Sequence, residues 1–296
     1  MIEPIDITAV SKQHILRIKR EDLLHPFVSG NKFRKLKYQL EKIKEGANET
    51  ALTFGGAFSN HIAAVAAAGK LNSFKTIGVI RGEELENQPL NATLGFAKSQ
   101  GMKLHFVKRE VYRSKTDTDY LAQLKEKFGP FYVIPEGGTN ELAVKGCEEI
   151  ITNDHAEYDY ICVAVGTGGT LAGIVKSLQP HQSAIGFSVL KGTFQAEVVQ
   201  KFTSNQNYKI IDSYNFGGYA KIDSDLIRFI NEFKENQNIQ LDPVYTGKMF
   251  YGIFDLLKQG MFKKNSRIFA IHTGGLQGIS GMNEKLKKKK LPLIDQ

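Results

Sequence analysis

Short apolar runs alternate with longer amphipathic ones along most of the chain. ALTFGG, FKTIGVIRG, MKLHFVKRE, FYVIPEGG, YDYICVAVGTGG, QSAIGFSVL, YKIIDSY and SRIFAIHTGG read as strands, rich in β-branched and aromatic residues. HIAAVAAAGK, PLNATLGFAKSQG, NELAVKGCEEIITN, TLAGIVKSL, FQAEVVQKF, DSDLIRFINEFKENQ and GKMFYGIFDLLKQG carry helical spacing. The alternation predicts an α/β protein with mainly parallel strands and helices on both faces. No repeat of solenoid period and no low-complexity linker interrupts it.

Parallel sheets bind ligands beyond the carboxyl ends of their strands. Four strands here run into small, polar or glycine-rich turns: TFGGAFSNH, IPEGGTN, VAVGTGGT and IHTGG. GTGGT, Gly166, Thr167, Gly168, Gly169 and Thr170, is the best phosphate cradle, because it follows an apolar strand and opens a helix whose first amides are free. It lacks the Gly-Lys-Ser/Thr ending of a P-loop. Leu171 stands where a dinucleotide motif needs its third glycine, so a monophosphate suits it better than ATP or NAD. A tight strand-to-helix turn would have the same pattern. In GGAFSNHIAA, Ser59 and Asn60 sit at a helix start, where capping is the plain reading and anion binding the other. Tyr245 and Thr246 open a further helix after Pro243.

The stretch HPFVSGNKFRKLKYQLEKIKEG delivers Lys32 to a helix start. Asn31 reads as the N-cap, and Phe33, Leu36, Leu40 and Ile43 recur at helical spacing. The positive end of a helix dipole disfavours an ammonium and tolerates a neutral amine. Lys32 is therefore either one more solvated lysine or a nucleophile held neutral at its helix start.

Composition narrows the alternatives. The chain has 296 residues, 42% hydrophobic and 24% charged, with a net charge of +8. Five lysines of that excess crowd into EKLKKKKLPLIDQ, which reads as a solvated tail with no nucleic-acid-binding motif beside it. Seven histidines show no metal-ligand spacing, and Cys147 and Cys162 read as reduced core thiols of a cytosolic protein. No apolar run reaches the length of a membrane span, and the first residues lack the pattern of a signal peptide.

A nucleophilic lysine, a monophosphate cradle and polar strand-end turns in an α/β chain suggest pyridoxal phosphate. That cofactor needs an amine to attach to, donors for its phosphate and a partner for its ring nitrogen. KREDLLHPFVSGNKFRKLKYQL, FGGAFSNH, AVGTGGTLAG, LDPVYTGK and HTGG also resemble the motifs of the aminocyclopropane-carboxylate deaminase and D-cysteine desulfhydrase family, from about Lys19 to Gly278. These are fold-type II pyridoxal-phosphate enzymes, similar to the tryptophan synthase β-subunit, with two open twisted, mainly parallel sheets.

The resemblance implies that Lys32 carries the cofactor, that Asn60 bonds its ring hydroxyl, and that Thr167 to Thr170 with Lys35 hold its phosphate. It implies that Ser59 takes the substrate carboxylate, that Tyr219 in NFGGYAK and Tyr245 flank the substrate, and that position 246 faces the pyridine nitrogen. The chain looks shorter than typical members before Lys19 and after residue 190, and threonine stands at 246 where the cyclopropane deaminases carry glutamate. A hydroxyl leaves the ring a weaker electron sink, which suits loss of a thiolate after Cα deprotonation.

The expected reaction is therefore β-elimination from a small amino acid, D-cysteine first, giving pyruvate, ammonia and sulfide. Cyclopropane deamination is the alternative, and a non-catalytic protein keeping the fold is the contrasting class. Residues 1–43 and 135–296 are expected to form a larger domain and 44–134 a smaller one, with the cofactor between them. The expected partners are an amino-acid substrate and a second copy of the chain, not nucleic acid or a membrane.

Overall fold

Two sheets organise the computed structural model, which describes residues 1–46 and 49–296. Strands β1 (Ile2–Ile5) and β2 (Ile15–Arg20) lead to helix α1 (Asn31–Glu45). Next come β3 (Thr50–Gly56), α2 (Asn60–Leu71), β4 (Lys75–Arg81), α3 (Ala92–Ser99) and β5 (Lys103–Val107). Helices α4 (Arg109–Arg113) and α5 (Thr118–Phe128) precede β6 (Tyr132–Ile134) and α6 (Glu141–Glu148). The chain continues through β7 (Tyr160–Val165), α7 (Gly169–Lys176), β8 (Ser183–Ser188), α8 (Gln195–Phe202) and β9 (Tyr208–Ile211). It ends with α9 (Ser224–Gln237), α10 (Thr246–Lys258), β10 (Arg267–His272) and α11 (Gly278–Lys288).

The larger sheet has the order β1-β2-β10-β7-β8-β9 and the smaller β5-β4-β3-β6. All their strand pairs are parallel except β1 with β2. Helices cover both faces, which is why β3, β4 and β7 are buried runs rather than alternating ones. In β7, Cys162 and Ala164 face the core built with α9, α10 and α11, while Ile161, Val163 and Val165 face α6 and α7. Around the smaller sheet, α2 and α3 cover one face, and Tyr112 and Leu124 of α4 and α5 the other. Helix α2 is buried from His61 to Gly69, so its alanines are needed for close packing on every side.

This is the architecture that the alternation predicts. Two readings change. The lysine-rich end is not a solvated tail: α11 runs to Lys288 and docks through the buried Ile279, Met282 and Leu286. The lysines hide that apolar stripe in the composition. On α1, Leu36 and Ile43 are buried as the spacing predicts, but Phe33 is exposed, and the buried face is shared with Lys35 and Gln39.

Helices α1, α6 and α7 stack through glycine. A Cβ at Gly146 would lie 2.0 Å from the carbonyl oxygen of Arg34, and one at Gly173 would lie 2.4 Å from the Cβ of Cys147. The first obstacle is backbone and cannot swing aside. Gly146→Ala should therefore destabilise the protein by about 1–3 kcal/mol, read as a lower urea midpoint at unchanged slope.

Candidate active site

The strand ends meet. The chain just beyond β2, β3, β6, β7 and β10, with Arg81 ending β4, lines one cavity of about 580 Å³. The four turns singled out in the sequence all reach its wall. The carboxyl ends of two parallel sheets, with the helix starts that follow them, thus share one space.

Lys32 enters through an unusual helix start. Gly30, with φ of 61° and ψ of −137°, takes the cap position that the sequence suggested for Asn31. A Cβ at Gly30 would lie 2.0 Å from the carbonyl oxygen of Thr273, so no side chain fits there. Asn31 is instead the first helical residue. Freed from capping, its Nδ2 donates to Thr170 Oγ1 at 2.8 Å and its Oδ1 accepts from Lys32 Nζ at 3.1 Å. One amide thus ties the lysine to the glycine-rich loop. Burial, and then the neighbouring Lys35 cation, lower the Lys32 pKa to about 7.

Lys35, one turn on, is fully buried. Its Nζ donates to Gly137 O at 2.9 Å, Thr139 Oγ1 at 3.0 Å and Thr167 Oγ1 at 3.4 Å. Burial lowers its pKa to about 8. Gly166, Thr167, Gly168 and Thr170 lie on the cavity wall beside this ammonium, whereas Gly169 packs behind them, its position open to no side chain because Thr139 Cγ2 would lie 2.7 Å from a Cβ. Backbone amides at the start of α7 and a cation that shares the loop's hydroxyls make a site for a phosphate.

Ser59 and Asn60 line the opposite wall, with Ser59 also capping α2 through Ile62 N at 3.4 Å. Tyr245 and Tyr219 line the remaining side, their rings edge to face at 6.2 Å. Burial and the neighbouring Tyr219 phenol hold the Tyr245 pKa well above its ordinary value.

Residues that the sequence left without a role join them. His61 is buried on the wall: its Nε2 pairs with Thr53 Oγ1 at 2.8 Å, and its Nδ1 has no partner. Burial and the Lys32 and Lys35 cations keep it neutral. Lys285 of α11 lies 3.6 Å from the ring centroid of Phe58, and both line the cavity. Among the described residues, Glu136 is the one carboxylate on the wall, and it already accepts from Tyr112 Oη at 2.7 Å and faces Lys115 at 3.5 Å. His61 follows Ser59 and Asn60 in the same motif, so its position was available in the sequence. Lys285 was masked by the run of lysines around it.

Thr246 is the correction. It is fully buried and not on the cavity wall. Its Oγ1 donates to Asp242 Oδ1 at 2.8 Å and accepts from Asp242 N at 2.9 Å. Asp242 gathers the amides of Val244, Tyr245 and Thr246 at 2.8–2.9 Å and so caps α10. The hydroxyl that the sequence set towards a ring nitrogen is spent on this cap. The hydroxyl that does reach the wall from this side belongs to Thr273, at the end of β10.

The sequence profile of the pyridoxal-phosphate-dependent enzymes matches residues 4–274. The chain belongs to that family. Among relatives, a Pyrococcus horikoshii protein whose name carries a provisional 1-aminocyclopropane-1-carboxylate deaminase assignment is 32% identical over 91% of this chain and 87% of its own. The bifunctional D-cysteine desulfhydrase/1-aminocyclopropane-1-carboxylate deaminase of Arabidopsis thaliana is 31% identical over 89% of this chain and 73% of its own. D-cysteine desulfhydrase of Klebsiella pneumoniae is 31% identical over 87% and 86%. The crystal structure of an ACC deaminase homologue matches with a TM-score of 0.83 at 29% identity, over 97% of this chain and 93% of that one. Serine racemase from Dictyostelium discoideum shares the fold, with a TM-score of 0.64 at 19% identity over 93% and 91%.

The wall fits the family's cofactor on its own geometry. It offers an amine that is deprotonated above neutral pH, a phosphate cradle with its own cation, and an unpartnered buried nitrogen. Three outcomes follow. Below pH 7 Lys32 is protonated and not nucleophilic, so covalent attachment of pyridoxal phosphate to the apoenzyme should quicken as pH rises through 7 and level off above. Borohydride reduction with peptide mapping should place the label on Lys32, and a label on another lysine would overturn the assignment. Thr246→Val should cost about 1–3 kcal/mol by stranding part of a buried cap, while the absorbance of the bound cofactor stays unchanged. A shift in that absorbance would mean that Thr246 touches the ring.

Proposed function

We propose that this enzyme is a lyase that releases a β-substituent from a small amino acid, D-cysteine first, giving pyruvate, ammonia and sulfide. The observation that carries the reading is the carboxylate supply of the cavity. Glu136, the one acid on its wall among the described residues, is engaged by Tyr112 and Lys115. From β10 the wall offers the hydroxyl of Thr273 and the amide of Gln277 instead. The Asp242 carboxylate, whose charge is felt at Lys32, is turned to the amides of α10 behind the wall. No carboxylate among the described residues is therefore presented to a ring nitrogen, which would then stay largely unprotonated.

Pyridoxal phosphate, when bound, supplies an electron sink for charge developing at the substrate Cα. Lys32 would be the residue that holds it and, with its pKa near 7, the general base placed to take the Cα proton of the substrate. Thr167, Gly168, Thr170 and Lys35 hold the phosphate. Asn60 binds the ring hydroxyl, Ser59 the substrate carboxylate, and Tyr219 and Tyr245 flank the substrate. A neutral ring suffices where a labile α-proton and a good leaving group share the work, as with D-cysteine. Aminocyclopropane carboxylate has no α-proton and asks more of the sink. The relatives' names support both activities, and cyclopropane deamination is the second reading.

The same reading makes the larger sheet, with residues 1–43 and 135–296, the cofactor domain and residues 44–134 the smaller domain. It includes a homodimer acting in the cytosol, for which two buried free thiols are suited.

Keto-acid release from D-cysteine, L-cysteine, D-serine and aminocyclopropane carboxylate tests it. kcat/KM for D-cysteine should exceed that for aminocyclopropane carboxylate by about tenfold or more, a difference of roughly 1.4 kcal/mol in barrier. Turnover of aminocyclopropane carboxylate with none of D-cysteine would reverse the two readings. A protein that binds the cofactor and turns over none of the four would favour the non-catalytic class.

A further inference from the structure

Lys248 has a role that neither the fold nor the cofactor site requires. It lies in α10, three residues after Tyr245, and is 1% exposed. Its Nζ donates to the carbonyl oxygens of Asn215 and Gly218, each at 2.8 Å, and it pairs with no carboxylate among the described residues. Burying an ammonium this way is costly, and a methionine would fill the space without that cost. The carbonyls belong to the loop between β9 and α9, residues 212–223.

That loop is not self-supporting. Phe216, Gly217, Gly218 and Ala220 have φ of 53°, 90°, 118° and 53°. Phe216 and Ala220 have no glycine-like freedom to relieve the conformation. The loop's own bonds are short-range: Asn215 donates to Asp212 O and accepts from the amides of Gly217 and Gly218, and Lys221 N donates to Gly218 O. From outside, the first residues of the loop are held where Asp212 accepts from Gly192 N and Tyr214 Oη donates to Asp255 Oδ2 of α10, each at 2.8 Å. Nearer Tyr219, Phe216 packs edge to face on Tyr251 at 5.0 Å, and the Lys248 ammonium provides the two polar ties to residues 215–218. Tyr219 is carried between the pinned Gly218 and the left-handed Ala220, and from there it reaches the cavity and meets Tyr245. One helix start therefore supplies Tyr245 directly and sets Tyr219 through Lys248.

We propose that Lys248 is a positioning residue for the substrate, holding the 212–223 loop on α10 so that Tyr219 stands opposite Tyr245 across the substrate end of the cavity. The inference rests on the reading of the two tyrosines as substrate neighbours. The loop makes no tie to Lys32, Lys35 or the GTGGT turn, so its loosening falls on substrate binding and not on cofactor binding.

The test uses the holoenzyme and the variants Lys248→Met, Tyr219→Ala and the double variant. Lys248→Met should keep its affinity for pyridoxal phosphate, titrated by absorbance without substrate, within about twofold, while KM rises about tenfold or more and kcat changes less. The double variant should be within about twofold of the poorer single variant, since both remove the same placed ring. Hydrogen exchange should quicken in residues 212–223 and not in 166–176. Multiplying losses, an unchanged KM, or an equal loss of cofactor affinity would overturn the proposal. If Lys248→Met does not fold, Lys248→Gln, which keeps a donor, is judged by the same criteria, and failure of both to fold would make Lys248 a fold residue and overturn it. If the wild-type enzyme turns over no tested amino acid, the proposed function fails, and the exchange pattern with the cofactor titration still decides the role of Lys248.

Discussion

The close approach of Gly30 to the Thr273 carbonyl is the constraint on which the site depends. It places the start of α1 against the end of β10 with no side chain between them. The left-handed Gly30 turns the chain so that Asn31 faces the glycine-rich loop and Lys32 faces the cavity. Any other residue at position 30 would push the helix off the strand end and carry the lysine away from the loop that is to hold the phosphate. The backbone contact thus does what a cap usually does. It also leaves the Asn31 side chain free to join two parts of the site.

The electrostatics of the cavity follow from what it is built to hold. Lys32, Lys35, Arg81 and Lys285 line it against the single acid Glu136 among the described residues. Burial lowers Lys32 and Lys35, and the Lys35 cation further disfavours a proton on Lys32. A phosphate beside Lys35 reverses this for Lys35, because a nearby dianion favours the ammonium. Lys32, if joined to the cofactor, would no longer present a free ammonium beside Lys35. The two lysines therefore sit badly together in the empty protein and well in the loaded one. Cofactor and fold stabilise each other, since what binds only the folded chain shifts its unfolding equilibrium.

The architecture was legible because parallel strands buried on both faces leave unbroken apolar runs, and glycine-rich turns mark where those runs stop for a ligand. The four turns chosen on that ground all reach the cavity. Three readings failed because packing had already committed the group, twice through a partner distant in sequence and once, at Thr246, through a carboxylate one turn earlier. Asn31 reads as a cap until Gly30 takes that place against Thr273. Thr246 reads as exposed to a ligand until Asp242 uses its hydroxyl. Lys285 reads as one of a solvated run until α11 docks and sets it on Phe58. Local chemistry predicts what a residue can do, and packing decides which of those options remains.

The two ends of the cavity are built by different means, and this explains why the cofactor was easier to read than the substrate. The end proposed for the phosphate consists of helix starts and glycines in close backbone contact, with a buried cation bonded to three oxygens. Few sequences satisfy such geometry, so the motif is specific. The other end is rimmed by the exposed side chains of Phe58, Phe194 and Tyr219, carried on loops. Many residues fit a rim, and each loop takes its shape from contacts elsewhere, as the 212–223 loop does from its bonds to α10. A fold can then keep one cofactor while its substrate changes, because altering the rim leaves the phosphate end untouched. Specificity in this chain is therefore a property of what holds the rim as much as of the residues that form it.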